Sequence, residues 1–189
     1  MSPEPKLWLV RHAQTEWSEN GRHTGTTDIP LTEEGRRLAA GLRERLSAVE
    51  FTAVLCSPLS RARDTAALTG LSDDPLLRED LVEYDYGDYE GLTTPQIREQ
   101  RPGWLLWRDG CPGGEMPEQV GERVDRVIEE VLAIDGPVAA VAHGHSLRIL
   151  GARWLEQPAA FGGRLTLGTG AVCVLGFERG LRTVHAWNS

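Results

Sequence analysis

Arg11 and His12 close a short apolar run, Leu7-Trp8-Leu9-Val10, and the chain turns polar directly after them. An arginine brings a permanent, fork-shaped charge suited to phosphate or carboxylate. A histidine brings a ring nitrogen that can attack or shuttle protons near neutral pH. Two further apolar runs also end in reactive residues. Ala53-Val54-Leu55-Cys56 leads into Ser57, with Arg61 one helical turn on, and Val138-Ala139-Ala140-Val141-Ala142 leads into His143-Gly144-His145-Ser146. A fourth stretch, Glu83 to Glu90, is dense in acids and tyrosines and offers a carboxyl group. Brought together, two arginines, two histidines and a helix N-terminus at Ser146 make a local excess of donors for a phosphate group. Phosphoryl transfer uses such a set, because positioned cationic donors take up the charge on the equatorial oxygens. His12 would attack phosphorus, with one ring nitrogen donating to a backbone carbonyl and the other free, and water would resolve the covalent intermediate. Glu83 would protonate the leaving oxygen. Asp80, Asp85 and Asp88 are its near rivals.

The elements that must position these residues follow from pattern. Short continuous apolar runs read as strands buried on both faces, as in a parallel sheet. Parallel strands deliver all their endings to one edge, where open α/β folds bind ligands. Residues 13–31, rich in Gly, Thr, Asn and Asp, read as a long functional loop. Thr32 is expected to cap a helix with Glu33 and Glu34 in its first turn and Leu38, Leu42 and Leu46 on its buried face. Helices are also expected over 60–68, 93–100, 117–133 and 146–155. Pro117 would open the third of these, and Val120, Val124, Val127, Ile128 and Val131 mark its buried face. Residues 76–82 carry a weak strand signal, and 171–177 with 181–186 read as a terminal hairpin. The expected fold class is α/β. We expect one three-layer domain over 1–189, a mainly parallel central sheet flanked by helices, with a small cap around 84–116.

The chain has 189 residues, 40% hydrophobic and 25% charged, as expected of a soluble globular protein. A net charge of −8 and a pI near 5.2 disfavour nucleic acid or an anionic membrane as the main partner. They leave a small phosphorylated substrate open, since an arginine cluster can reverse the sign of one pocket. Cys56, Cys111 and Cys173 are odd in number and widely spaced, neither a disulfide framework nor a zinc signature. With no signal peptide or membrane-spanning run, a reducing cytoplasm is the expected location. His143 and His145, joined by His12 or His23, raise the alternative of a zinc-dependent hydrolase. The intervening glycine and the helix start suit anion binding better, so no metal and no cofactor are expected. A non-catalytic phosphate-binding regulator is a third reading. Trp104 and Trp107 are expected to pack, Arg63 and Arg148 to be surface or structural residues, and His185 to be structural. His23 could reach the pocket or lie on the surface. The terminal hairpin offers an edge through which a homodimer could form.

In these residues the chain resembles the histidine phosphatase superfamily, also called the phosphoglycerate-mutase-like family. The resemblance lies in Leu9-Val10-Arg11-His12-Ala13-Gln14-Thr15-Glu16-Trp17, in Gly25 with Asp28-Ile29-Pro30-Leu31-Thr32-Glu33-Glu34-Gly35, and in Ser57-Pro58-Leu59-Ser60-Arg61-Ala62 with Thr65-Ala66. It continues in Glu83 ahead of Gly87 and Glu90-Gly91, and in Ala142-His143-Gly144 with Leu147-Arg148. These blocks stand in the family's order and cover nearly the whole chain. The resemblance implies that His12 is the phosphorylated nucleophile, that Arg11, Arg61 and His143 clamp the phosphate, and that Glu83 donates the proton. It places Ser18, Thr24 and Gly25 at phosphate or substrate contacts and the Gly144 N–H as a further donor. The chain departs from the family at Ala13, where glycine is usual, at Gln14, where an acid is common, and at Ser18 and His145, where asparagine is frequent. The resemblance implies a metal-independent phosphatase acting on small phosphomonoesters through phospho-His12. A phosphoglycerate-mutase-type phosphotransferase is the alternative, although the extra basic segment of the glycolytic mutases is not evident between Gly91 and Pro117.

Overall fold

The structure is a computed structural model that describes residues 4–189. Its centre is a six-stranded sheet of β1 (Glu4–Arg11), β2 (Ala53–Cys56), β3 (Leu76–Leu77), β4 (Val138–Ala142), β5 (Val172–Glu178) and β6 (Leu181–Ala186), in the order β3-β2-β4-β1-β5-β6. The first four of that order run parallel. β5 is antiparallel to β1, and β6 to β5, so the predicted hairpin extends the sheet and makes it mixed. β4 lies between β1 and β2 and is buried along its whole length. That burial on both faces explains its unbroken Val/Ala composition.

Among the described residues eight α-helices accompany the sheet: α1 (Glu16–Glu19), α2 (Glu33–Gly41), α3 (Arg43–Ser47), α4 (Ser60–Leu68), α5 (Thr94–Gln100), α6 (Leu106–Asp109), α7 (Pro117–Ala133) and α8 (Gly144–Trp154). On one face Val120, Val124, Val127 and Val131 of α7 and Leu147 and Leu150 of α8 pack with Leu7, Leu9, Val138 and Ala140 of the sheet. On the other, Leu46 of α3 and Ala62 and Ala66 of α4 pack with Val10, Cys56 and Val141. The three-layer α/β architecture is therefore as the sequence predicts.

Three local expectations need correction. The helix capped by Thr32 stops at Gly41, and a separate helix carries Leu46, so Leu38, Leu42 and Leu46 do not form one stripe. Leu38 is exposed, and the buried side of α2 is Gly35 and Ala39. Small residues are required there because α2 presses on the loop after β1. A Cβ on Gly35 would stand 2.2 Å from the Gln14 carbonyl oxygen. The last major helix begins at Gly144, two residues earlier than expected, with His143 at its N-cap. The weak strand signal at 76–82 resolves into the two-residue β3 and a 3₁₀ turn over Glu79–Leu81.

Candidate active site

β1, β2 and β4 end at Arg11, Cys56 and Ala142, side by side on one edge of the sheet, so His12, Ser57 and His143 emerge together. The rings of His12 and His143 lie 5.1 Å apart between centroids. The His12 Nδ1 faces the Ala13 carbonyl oxygen at 2.7 Å. A carbonyl only accepts, so Nδ1 carries the proton and Nε2 keeps its lone pair. Burial, followed by the charges of Arg11 and Arg61, pushes the His12 pKa well below the usual 6.5. The ring is thus neutral at physiological pH, with one fixed tautomer and a free nucleophilic nitrogen.

His143 is fully buried and is fixed in the same way from both sides. Arg61 Nε donates to its Nδ1 at 3.2 Å, and its Nε2 stands 2.7 Å from Ser57 Oγ. An arginine N–H cannot accept, so neutral His143 carries its proton on Nε2. Burial and the charge of Arg61 hold its pKa well below 6.5. Arg61 is also fully buried, far from an ordinary helix-surface arginine. Its Nη1 donates to the Thr27 carbonyl, and its Nη2 donates to those of Thr24 and Gly25. It therefore ties the loop after α1 to His143.

A cavity of about 290 Å³ opens at this edge, lined by Arg11, His12, Ser18, Thr24, Glu83 and Gly144 among others. Arg11 Nη1 donates to the Leu167 carbonyl, while its Nε is buried with no hydrogen-bond partner. A buried cationic donor without an acceptor is costly. Among the described residues Glu83 is the only carboxylate on the cavity wall. Its Oε1 accepts from the N–H groups of Tyr84 and Ser146, and its Oε2 from that of His145. The side chain is thereby held at the start of α8. Its three rivals are occupied elsewhere: Asp80 pairs with Arg126, Asp85 accepts from the Gly87 N–H, and Asp88 lies by Gly113. Gly144 must be small, since a Cβ there would stand 3.2 Å from the Arg11 guanidinium carbon.

Not every expected contact reaches the cavity wall. Arg61 and His143 sit behind His12 rather than on the wall. Gly25 does not line the cavity; its N–H donates to the Glu90 carboxylate and its carbonyl accepts from Arg61. Ser18 lines the cavity while completing a capping box with Thr15. His23 reaches the cavity, and burial lowers its pKa to about 4. Two charged residues of the cavity wall, Arg22 and Arg148, stand outside the expected set. Arg148 had a readable signal: it follows Gly144 by four residues, which puts both on one side of the helix.

The zinc alternative fits this donor set poorly. Both nitrogens of His143 are engaged, and His145 Nδ1 is taken by the Tyr86 hydroxyl at 2.5 Å. Among the described residues no three His, Cys, Asp or Glu side chains are grouped to hold a metal ion.

Residues 7–189 match the histidine phosphatase superfamily, branch 1. The chain belongs to this superfamily. It is 44% identical over 183 residues to an acid phosphatase of Mycobacterium tuberculosis, covering 94% of this chain and 89% of that protein. It is 37% identical over 182 residues to the sedoheptulose 1,7-bisphosphatase of Saccharomyces cerevisiae, covering 79% and 67%. The solved structure of the M. tuberculosis open reading frame Rv3214 superposes with a TM-score of 0.92 at 42% identity, over 96% of each chain. The chain is an enzyme of the histidine phosphatase type, as its motifs imply. Its departures from the family pattern have local reasons. Ala13 is buried, does not have a positive φ, and donates its N–H to Thr65 Oγ1. Gln14 serves the N-terminus of α2, since its side-chain oxygen accepts from Thr32 Oγ1.

Proposed function

We propose that this phosphatase hydrolyses small phosphomonoesters at the cavity beside β1, with His12 as nucleophile and Glu83 as proton donor. The observation that carries the reading is the fixed tautomer of His12, buried and neutral, with Nδ1 bound to Ala13 and Nε2 free at the cavity. Nε2 attacks phosphorus, and the bond to the leaving oxygen breaks. That oxygen takes a proton from Glu83; a water molecule then attacks phosphorus while giving its proton back to the Glu83 carboxylate, the N–P bond breaks, and phosphate leaves with His12 restored. Arg11 and the Gly144 N–H, both on the cavity wall, would hold the equatorial oxygens. Arg61 and His143 act from behind by fixing His12's surroundings. The segment 84–116 would cap the site, since Tyr86 and Thr94 line the cavity and Trp107 backs Arg148.

The family resemblance supports a small phosphorylated substrate, and the cavity volume suits one. Among the described residues no helix is long and apolar enough to cross a membrane. A cytoplasmic setting fits three free, buried cysteines. The outer edge of β6, with Leu181 exposed, is where a homodimer would form. Release of p-nitrophenol from p-nitrophenyl phosphate, abolished in His12→Ala, tests the activity. Glu83→Gln tests the donor: it should slow alkyl phosphates far more than p-nitrophenyl phosphate, whose leaving group needs little protonation. An equal effect on both would remove Glu83 from that role.

A further inference from the structure

We propose that Asn188 is a positioning residue for the phosphoryl site: it fixes the Leu167 carbonyl and, through that carbonyl, the guanidinium of Arg11. The proposal goes beyond the phosphatase reading and rests on it, since it takes Arg11 as a donor to the transferred group. The backbone of Arg11 is held by the sheet, but its side chain is held by a loop: Nη1 donates to the Leu167 carbonyl. Leu167 is buried and lines the cavity. It lies in residues 165–171, the irregular connection between a 3₁₀ helix over Ala159–Arg164 and β5. The same connection touches the nucleophile and its neighbour. The Gly170 N–H donates to the His12 carbonyl at 3.1 Å, and the Ala171 carbonyl accepts from the Arg11 N–H at 3.1 Å. An irregular segment has no ladder of its own. The direction of the Leu167 carbonyl therefore depends on what grips the peptide units on either side of it.

Both neighbours of Leu167 are gripped by consecutive residues that follow β6. Trp187 Nε1 donates to the Thr166 carbonyl at 2.6 Å, and the Gly168 N–H donates to Asn188 Oδ1 at 2.7 Å. Trp187 is seated on α8, where a Cβ on Gly151 would stand 2.5 Å from its ring. Ser189 pairs with Val172 through both backbone groups, at 3.0 and 3.2 Å, so the segment is also tied to the start of β5. Asn188 has a φ of 53°, in the left-handed region that asparagine enters more readily than most residues. In that conformation its Oδ1 reaches Gly168 while its own N–H donates to Cys173 Sγ at 3.3 Å. Asn188 is exposed and does not line the cavity. Its side chain therefore acts on the phosphoryl group only by way of Leu167 and Arg11. A guanidinium stabilises developing charge most when it is in place beforehand, so a loosened carbonyl anchor is felt in the transition state.

The test compares Asn188→Gly, which keeps the left-handed conformation and removes the acceptor, with Asn188→Asp, which keeps both. With p-nitrophenyl phosphate, Asn188→Gly should lower kcat/KM roughly three- to tenfold, the effect of one hydrogen bond, and weaken inhibition by orthovanadate by a similar factor. Asn188→Asp should stay within about twofold of the parent. A double-mutant cycle with Arg11→Lys separates positioning from a general loosening of the fold. It is read both as kcat/KM and as the calorimetric dissociation constant of inorganic phosphate. In the Arg11→Lys background Asn188→Gly should cost less than about twofold, because the anchored fork is already gone. A parent-like kcat/KM in Asn188→Gly overturns the proposal. So does a loss that Asn188→Asp shares in full, or one that recurs undiminished beside Arg11→Lys. Failure of the phosphatase reading shows separately, as absent p-nitrophenol release by the unmodified protein or as an Arg11→Lys protein with the parent kcat/KM.

Discussion

Replacing Arg61 by methionine preserves length and apolar packing but removes every donor. The structure gives this arginine four hydrogen bonds: to His143 Nδ1 at 3.2 Å, Thr27 O at 2.9 Å, Thr24 O at 3.2 Å and Gly25 O at 2.8 Å. Each buried acceptor stranded by the change would cost about 1–3 kcal/mol. Against that, the variant no longer desolvates a guanidinium, which costs several kcal/mol in the parent. Thr24 and Thr27 are only partly buried, so their carbonyls can recover water. The net loss should fall at the low end of the range for breaking a buried charged network, about 3 kcal/mol. For a chain of this size that is a fall in Tm of roughly 6–12 °C. Urea denaturation and scanning calorimetry of Arg61→Met would be read against Arg36→Met, an exposed arginine paired with Asp64. The control should move stability by no more than about 0.5 kcal/mol. Activity should fall as well, and Arg61→Lys should not restore it, because one ammonium cannot span three carbonyls and a ring nitrogen. An Arg61→Met shift no larger than the control's would refute the claim that this residue ties the loop to His143.

Two further predictions concern stability. His12, His143 and His145 are neutral in the fold, with pKa values below the unfolded 6.5, so the unfolded chain binds more protons below that pH. Stability should hold above about pH 6.5 and fall as pH drops toward 5, by about 2 kcal/mol for each histidine that stays neutral at pH 5. Thermal melts across that window check it, and a Tm flat from pH 7 to 5 contradicts it. Gly35→Ala places a Cβ 2.2 Å from the Gln14 carbonyl oxygen and should cost about 1–3 kcal/mol by forcing α2 off the loop, seen as a lower urea midpoint.

The sheet edge that gathers His12, Ser57 and His143 is legible because three buried apolar runs each end in a reactive residue, and parallel pairing brings such endings together. Sequence does not separate Glu83 from Asp80, Asp85 and Asp88, because its position at the cavity depends on backbone N–H groups of Tyr84, His145 and Ser146, which leave no residue signature. The depth of Arg61 was equally hidden: its partners are main-chain carbonyls of a loop more than thirty residues away, and carbonyls leave no residue signature. The leucine spacing at 38, 42 and 46 misled because the chain breaks between two helices at Leu42. Arg148 shares a helix side with Gly144 by its spacing, but the packing on Trp107 and the bond to Gly162 that fix its guanidinium do not show in sequence.

The most direct test of the account is to trap the intermediate. The protein is mixed with labelled p-nitrophenyl phosphate, quenched in denaturant at high pH within a single turnover, and digested for peptide mapping. The account predicts one phosphoryl group, on the peptide carrying His12, stable in base, lost in acid and absent from His12→Ala. Label on another residue, or a His12→Ala protein that still turns over at the parent rate, would contradict it.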